Sequence, residues 1–250
     1  PYFYSKLLHC FADVFAQSKR DQKRISSLSD KKIQYIGNLK LTQPAEITKD
    51  NNYYSKKEKK LFNIILASTH KYEEEIMISS IKQIIDEYKN IKLIIAPRHP
   101  ERSEEISSLC KSFNLSSTLE SKKNLEEKNV IIIDSFGILT KYFALSDIVI
   151  LGGSFVPSGG HNPIEPALNK CVILTGPKIF NWEEIFNEMI KSNACIKVET
   201  YEELKNKLKV LMKDKNKIEF MKTNAYNFSQ KQFINTTYLD EAINNHMNIN

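Results

Sequence analysis

Short runs of wholly apolar residues alternate along this chain with longer segments in which apolar positions recur every three or four residues. Residues 64–67, 93–96, 130–133, 148–151 and 172–174 contain no polar break, the pattern of strands covered on both faces. After the first run, Glu73, Glu74 and Glu75 precede a stripe of Met77, Ile81, Ile84, Ile85 and Tyr88. That spacing predicts a helix whose early turns carry the charge its dipole favours. Further helices are predicted from about residue 101, over 138–144 and over 163–169, with a weaker segment near Leu115. Two or three amphipathic helices close the chain. The alternation predicts an α/β fold, a Rossmann-like parallel sheet with helices on both faces.

The front of the chain reads differently. Leu7, Leu8 and Phe11 mark a helix face, residues 13–17 a short strand, 19–28 a charged helix and 33–41 a strand. Residues 1–41 are too few to hold a core of their own and read as the remnant of a preceding domain. Pro1 in first position is read as a cut from a longer chain. Residues 42–58, polar with Pro44 and Asn51-Asn52, read as a linker. Residues 59–250 read as a nucleotide-binding domain with closing helices. There is no internal repeat, no visible signal peptide and no run of about 18 apolar residues to span a membrane.

Composition narrows the partners. The net charge is +6, with basic clusters at Lys19, Arg20, Lys23, Arg24 and at Lys56, Lys57, Lys59, Lys60. These fit attraction to an anionic membrane surface or an anionic substrate, or simply a solvated lysine-rich face. They lack interleaved aromatics, so no nucleic-acid partner is expected. Cys10, Cys110, Cys171 and Cys195 form no Cys-x-x-Cys pair, which argues against zinc and for a reducing compartment.

Ligands of parallel sheets bind at the carboxyl ends of the strands, and there the chemistry gathers. Gly152-Gly-Ser-Phe-Val-Pro-Ser-Gly159-Gly160-His161-Asn162-Pro163-Ile164-Glu165-Pro-Ala167 puts two glycine pairs ahead of a helix. Asn162 suits the N-cap and Pro163 the first helical position. Glycine lets backbone N–H groups approach a ligand, and a helix N-terminus favours an anion. Glu165 has two readings, a capping box to the Asn162 N–H or a carboxylate accepting ribose hydroxyls. Arg98, between Pro97 and the pair His99-Pro100, suits a carboxylate or phosphate, or a surface salt bridge. Ser68 and Thr69 are helix caps or anion contacts. Lys40 could neutralise a leaving phosphate, or is a solvated lysine. There is no Asp-x-Asp pair, no metal-spaced cluster and no P-loop, so neither a metal ion nor a cofactor is expected.

The glycine motif, together with Gly37-Asn-Leu-Lys40, Ala67-Ser-Thr-His70 and Pro97-Arg-His-Pro-Glu-Arg102 in that order, resembles the bacterial 3-deoxy-D-manno-octulosonic acid (Kdo) transferases. The resemblance runs from about Phe15 to the last helices. It implies a GT-B architecture of two Rossmann-like domains, of which this chain holds chiefly the C-terminal, donor-binding half. It implies transfer of Kdo from CMP-Kdo to a lipid A precursor, lipid IV-A, in lipopolysaccharide synthesis. The implied location is the cytoplasmic face of the inner membrane, peripheral or anchored through a missing N-terminus, and no metal is implied. By resemblance, Pro97, Arg98, Phe136, Gly137 and Ile138 lie against CMP. Asn162, Pro163, Ile164 and Glu165 hold its phosphate and ribose. Ser68, Thr69, His70, His99, Gly159, Gly160 and His161 are further donor contacts, and Lys40 stabilises the transition state. Ile138 departs from the family, where many members carry Glu. The general base is a glutamate of the N-terminal domain, absent here, so this chain alone is expected to bind CMP-Kdo or CMP without transferring sugar. Two alternatives stay open: another GT-B enzyme such as a UDP-sugar epimerase or transferase, and a non-catalytic remnant.

Overall fold

The computed structural model describes residues 2–37, 61–88, 90–122, 128–232, 241 and 243–244. Lys40, the segment 42–58 assigned as linker and the cluster Lys56, Lys57, Lys59, Lys60 lie outside these residues. The chain divides into two compact units, residues 1–46 with 232–250, and residues 47–231.

In the first unit, α1 (Tyr2–His9) precedes β1 (Val14–Ala16), α2 (Lys19–Ser26) and β2 (Ile33–Tyr35). The two strands pair in parallel with Val14 opposite Ile33, so α2 is their crossover. Ser18 caps α2 by accepting the Asp21 N–H. Ala16 and Ile33 are the buried apolar side chains among this unit's described residues, while Tyr2, Phe3, Tyr4 and Leu7 stay exposed.

The second unit is built on β3 (Phe62–Thr69), β4 (Ile91–Pro97), β5 (Ser117–Leu119), β6 (Val130–Ile132), β7 (Ile148–Leu151), β8 (Val172–Thr175) and β9 (Cys195–Lys197). They form one sheet in the order β5-β6-β4-β3-β7-β8-β9, parallel throughout. The helices are α3 (Glu74–Glu87), α4 (Ser103–Ser112), α5 (Leu139–Phe143), α6 (Ile164–Leu168), α7 (Glu183–Lys191), α8 (Tyr201–Lys213) and α9 (Lys215–Gln230). Ile64, Leu66, Leu93, Ile95, Ile148 and Ile150 join Met77, Ile81, Leu204 and Leu208 in one core cluster. The intervening strand residues Ile65, Ile94, Ile131, Val149 and Ile173 are equally buried. Both faces are therefore covered, which is why the strands carry no polar alternation. Each such side chain contributes about 1.5–3 kcal/mol on burial.

Three expectations change. The segment near Leu115 becomes the edge strand β5, and β9 lies between α7 and α8 where helices alone were expected. Both are three-residue edge strands, too short to show a period against flanking helices. The helix expected over 163–169 contracts to Ile164–Leu168, followed by Lys170 at φ 56°, a left-handed residue that ends it.

β3 sits where the strand order reverses, with β4 on one side and β7 on the other. At such a switch point parallel sheets form their ligand crevice, at the carboxyl ends of the strands. Among the described residues no helix is long and apolar enough to cross a membrane.

Candidate functional site

The crevice begins with an irregularity in β3. Its register against β4 shifts between Ala67 and Thr69, with Ser68 at φ 57°, a bulge that redirects the strand end. Gly152 follows β7 against this bulge. A Cβ on it would stand 2.6 Å from Ser68 O and from Thr69 Cα, so no side chain fits between the two strand ends.

Glu73 fixes the next layer. It is fully buried, and its carboxylate accepts the backbone N–H groups of Gly153 at 2.6 Å, His70 at 2.8 Å and Phe155 at 3.4 Å. Burial raises its pKa, and the three N–H bonds oppose the rise. Phe155 stacks on Tyr201 at the start of α8, ring centroids 4.6 Å apart. Glu74, 2% exposed, receives the Arg102 fork at 2.8 and 2.7 Å and the Thr69 hydroxyl at 2.9 Å. Those bonds raise the Arg102 pKa further. Two glutamates that the sequence offers as dipole partners of α3 thus hold the loops after β3, β4 and β7 in place.

On this base stand the histidines. His70 Nε2 and His161 Nε2 are 2.9 Å apart, and the His99 ring meets His70 edge-on at 6.3 Å. Burial, and then the charges of His99, Arg98 and Arg102, lower the His70 pKa. Burial, His70 and Arg98 push His161 down to about 4. Arg98 follows β4 with its backbone N–H on Thr69 O at 2.9 Å. Its side chain is exposed and its guanidinium has no hydrogen-bond or ion-pair partner among the described residues. The salt bridge open to it in sequence belongs to Arg102 instead.

Across the crevice, the Glu165 carboxylate accepts a very short hydrogen bond from the Thr140 hydroxyl. This joins α6 to α5 and to the loop carrying Phe136, Gly137 and Ile138. Phe136 is 70% exposed, and Gly137, at φ 86°, has open space where a Cβ would sit. Ile138 precedes α5. Gly159 and Gly160 adopt φ 85° and 74°, and the Gly160 N–H closes on Gly153 O at 2.9 Å.

Several expectations are corrected. Ser68 and Thr69 cap no helix, because α3 starts only at Glu74. Thr69 is fully buried with its hydroxyl on Glu74, which removes its side chain as a donor contact. Asn162 is not the N-cap: Pro163 holds that place, and Asn162 Oδ1 accepts the Ile164 N–H at 3.0 Å. The Glu165 carboxylate pairs with Thr140 rather than with the Asn162 N–H. Pro163 and Ile164 are buried, so only their backbone can face a ligand. α6 has five residues and few aligned dipoles, so its N-terminus carries little of the partial charge that favours an anion. Lys40 is outside the described residues. Among the described residues no group of three or more His, Cys, Asp or Glu could hold a metal ion.

No family model matches the chain. It is 31% identical over 248 residues to the 3-deoxy-D-manno-octulosonic acid transferase of Rickettsia felis, covering 96% of this chain and 52% of the relative. The enzyme of that name from Haemophilus influenzae is 35% identical over 165 residues, 65% of this chain and 39% of the relative. The chain thus spans about half the length of curated relatives it matches. Among solved structures, the C-terminal CMP-Kdo binding domain of WaaA from Acinetobacter baumannii matches at TM-score 0.66 and 27% identity, over 70% of this chain and 92% of that domain. Anabaena Alr3699/HepE in complex with UDP and glucose matches at TM-score 0.62 and 16% identity, over 99% of this chain and 66% of that one, a likeness of fold.

Proposed function

This chain is a homologue of the Kdo transferases along nearly its whole length, and on that footing we propose that it is the donor-binding portion of such an enzyme. It holds CMP-Kdo by the cytidine nucleotide, at the carboxyl ends of β3, β4, β6 and β7. The observation that carries the reading is the joining of four separate segments at one place, by the His70–His161 contact, the Thr140–Glu165 bond and the Arg98 N–H on Thr69 O. Arg98, exposed and unpaired among the described residues, is placed to take the phosphate. The loop 136–138 lies against the nucleotide, and Glu165 turns its free carboxylate oxygen to the ribose.

In the reaction proposed, a hydroxyl of a lipid A precursor displaces CMP at the anomeric carbon of Kdo. The acceptor loses its proton to a carboxylate supplied outside these 250 residues. The bond from the anomeric carbon to the phosphate oxygen breaks, and CMP departs with its charge stabilised by Arg98, by the loop N–H groups and, on the sequence resemblance, by Lys40. No metal held by this chain takes part. The lipid acceptor places the enzyme at the membrane surface of the cytoplasm, and the described helices offer no span.

Titration with CMP and with UMP tests this reading. CMP should bind at least about tenfold tighter, some 1.4 kcal/mol. Equal affinities, or a preference for UMP, would favour a uridine-nucleotide enzyme of the same fold.

A further inference from the structure

His70 and His161 lie 91 positions apart in the chain and meet at Nε2···Nε2 2.9 Å. Their ring centroids are 5.2 Å apart and their planes differ by 12°. With the nitrogens so close, the two rings meet edge to edge in nearly one plane. Such a contact holds one proton on its axis, one ring donating and the other accepting. The neutral pair meets that condition. So does the singly protonated pair, in which the donating ring also carries a proton on Nδ1. A second added proton would set N–H against N–H and break the contact. The pair is therefore a one-proton device, and its titration belongs to both rings together.

Burial, and then the neighbouring cations, favour the uncharged form of the pair. Arg98, His99 and Arg102 act on it from the segment after β4, and His99 and both arginines lower His70. Of the nearby carboxylates, Glu73 is committed to the N–H groups of His70, Gly153 and Phe155, and Glu74 to Arg102 and Thr69. Glu101 lies on His99 at 3.4 Å and Glu105 on Arg102 at 3.2 Å, whereas Arg98 has no carboxylate partner among the described residues. The glycine loop after β7 brings no charged side chain between Gly152 and Gly160. A Cβ on Gly153 would stand 3.0 Å from His161 Nε2 and 3.2 Å from His70 Cδ2, so the loop backbone lies directly against the pair. Burial is the larger cause of the pair's neutrality and the neighbouring cations the smaller; an anion held by Arg98 and this loop opposes both, by offsetting the cations and by attracting a proton to the rings.

We propose that the His70–His161 pair takes up one proton from solvent when a phosphate monoester dianion, such as that of CMP, binds in the crevice. The pair is then a cationic wall for the departing nucleotide, and nucleotide affinity is linked to pH. The inference rests on the donor-site reading above. By reciprocity, protons strengthen CMP binding as CMP strengthens proton binding.

Calorimetric titration of this chain with CMP in buffers of different ionisation enthalpy reads the proton directly. The wild type should take up about one proton per CMP near pH 7, and its affinity should rise up to about tenfold between pH 7.5 and 6.5. His161→Gln keeps a polar group opposite His70; it should bind CMP more weakly than the wild type, without the uptake and with an affinity that no longer rises between pH 7.5 and 6.5. Cytidine, which has no phosphate, should bind to the wild type with no uptake. If His161→Gln does not fold, the wild-type contrast between CMP and cytidine decides. Buffer-independent heats for CMP, or uptake that persists in the variant or with cytidine, overturn the proposal while leaving the donor site intact. Failure of CMP to bind at all overturns both.

Discussion

Glu73 Oε1 accepts the backbone N–H of Gly153 at 2.6 Å, tying the residue before α3 to the loop that follows β7. The same carboxylate holds His70 and Phe155, so one buried acid sets the backbone of both halves of the crevice. Glu73→Gln keeps the shape but turns an acceptor into an amide donor facing N–H groups. The variant should lose about 2 kcal/mol of stability, the cost of leaving buried donors unmade. It should also weaken CMP binding. Urea denaturation with unchanged midpoint would remove Glu73 from this role.

The two arginines of the segment after β4 should separate cleanly. Arg102 forks onto a carboxylate that is 2% exposed, and Arg102→Ala strands that charge, at a cost of about 3 kcal/mol. Arg98→Ala removes a group without a partner among the described residues and should leave stability within about 0.5 kcal/mol, yet lower CMP affinity at least about tenfold, as loss of a charged contact does. Melting curves and CMP titrations on the two variants check this, and the reverse assignment would exchange their behaviours.

Stability should depend on pH through His161. Its folded pKa is pushed down to about 4 by burial, His70 and Arg98, below the ordinary value of 6.5. A depressed histidine favours the neutral form, so its contribution is fully present above pH 6.5 and is lost as pH falls toward 4. Glu73 acts with the opposite sign. Its pKa is raised above the ordinary 4.5, so its ionisation weighs against folding and that cost fades on acidification. Melting temperatures from pH 7 to 4 should therefore fall less steeply in His161→Gln than in the wild type. Parallel curves would show that His161 titrates as it does in the unfolded chain.

Much of this was legible in the sequence. The five inner strands of the sheet announce themselves because burial on both faces leaves their central runs without a polar position, and the glycines at 152–153 and 159–160 mark where backbones approach or turn left-handed. The network beneath the site was less visible. Glu73 falls four residues before Met77 and eight before Ile81, on the buried stripe of α3, and that spacing is a signal of an inward carboxylate which the dipole explanation of the acidic run obscures. The His70–His161 pair and the Thr140–Glu165 bond join residues far apart in the chain, and only strand order brings them together. Asn162 shows the limit of capping rules, since in so short a helix, with Pro163 before it and Pro166 within it, the cap position falls one residue later while the Asn162 side chain still accepts the Ile164 N–H.

The account stands on one crevice gripping a cytidine nucleotide, and amide chemical-shift mapping of a CMP titration reads that crevice residue by residue. The largest shifts should fall on Arg98 and His99, on residues 136–138, and on residues 153–165 excluding the prolines, with Glu165→Gln reducing them. Shifts confined to other surfaces, or none at saturating CMP, would contradict the account.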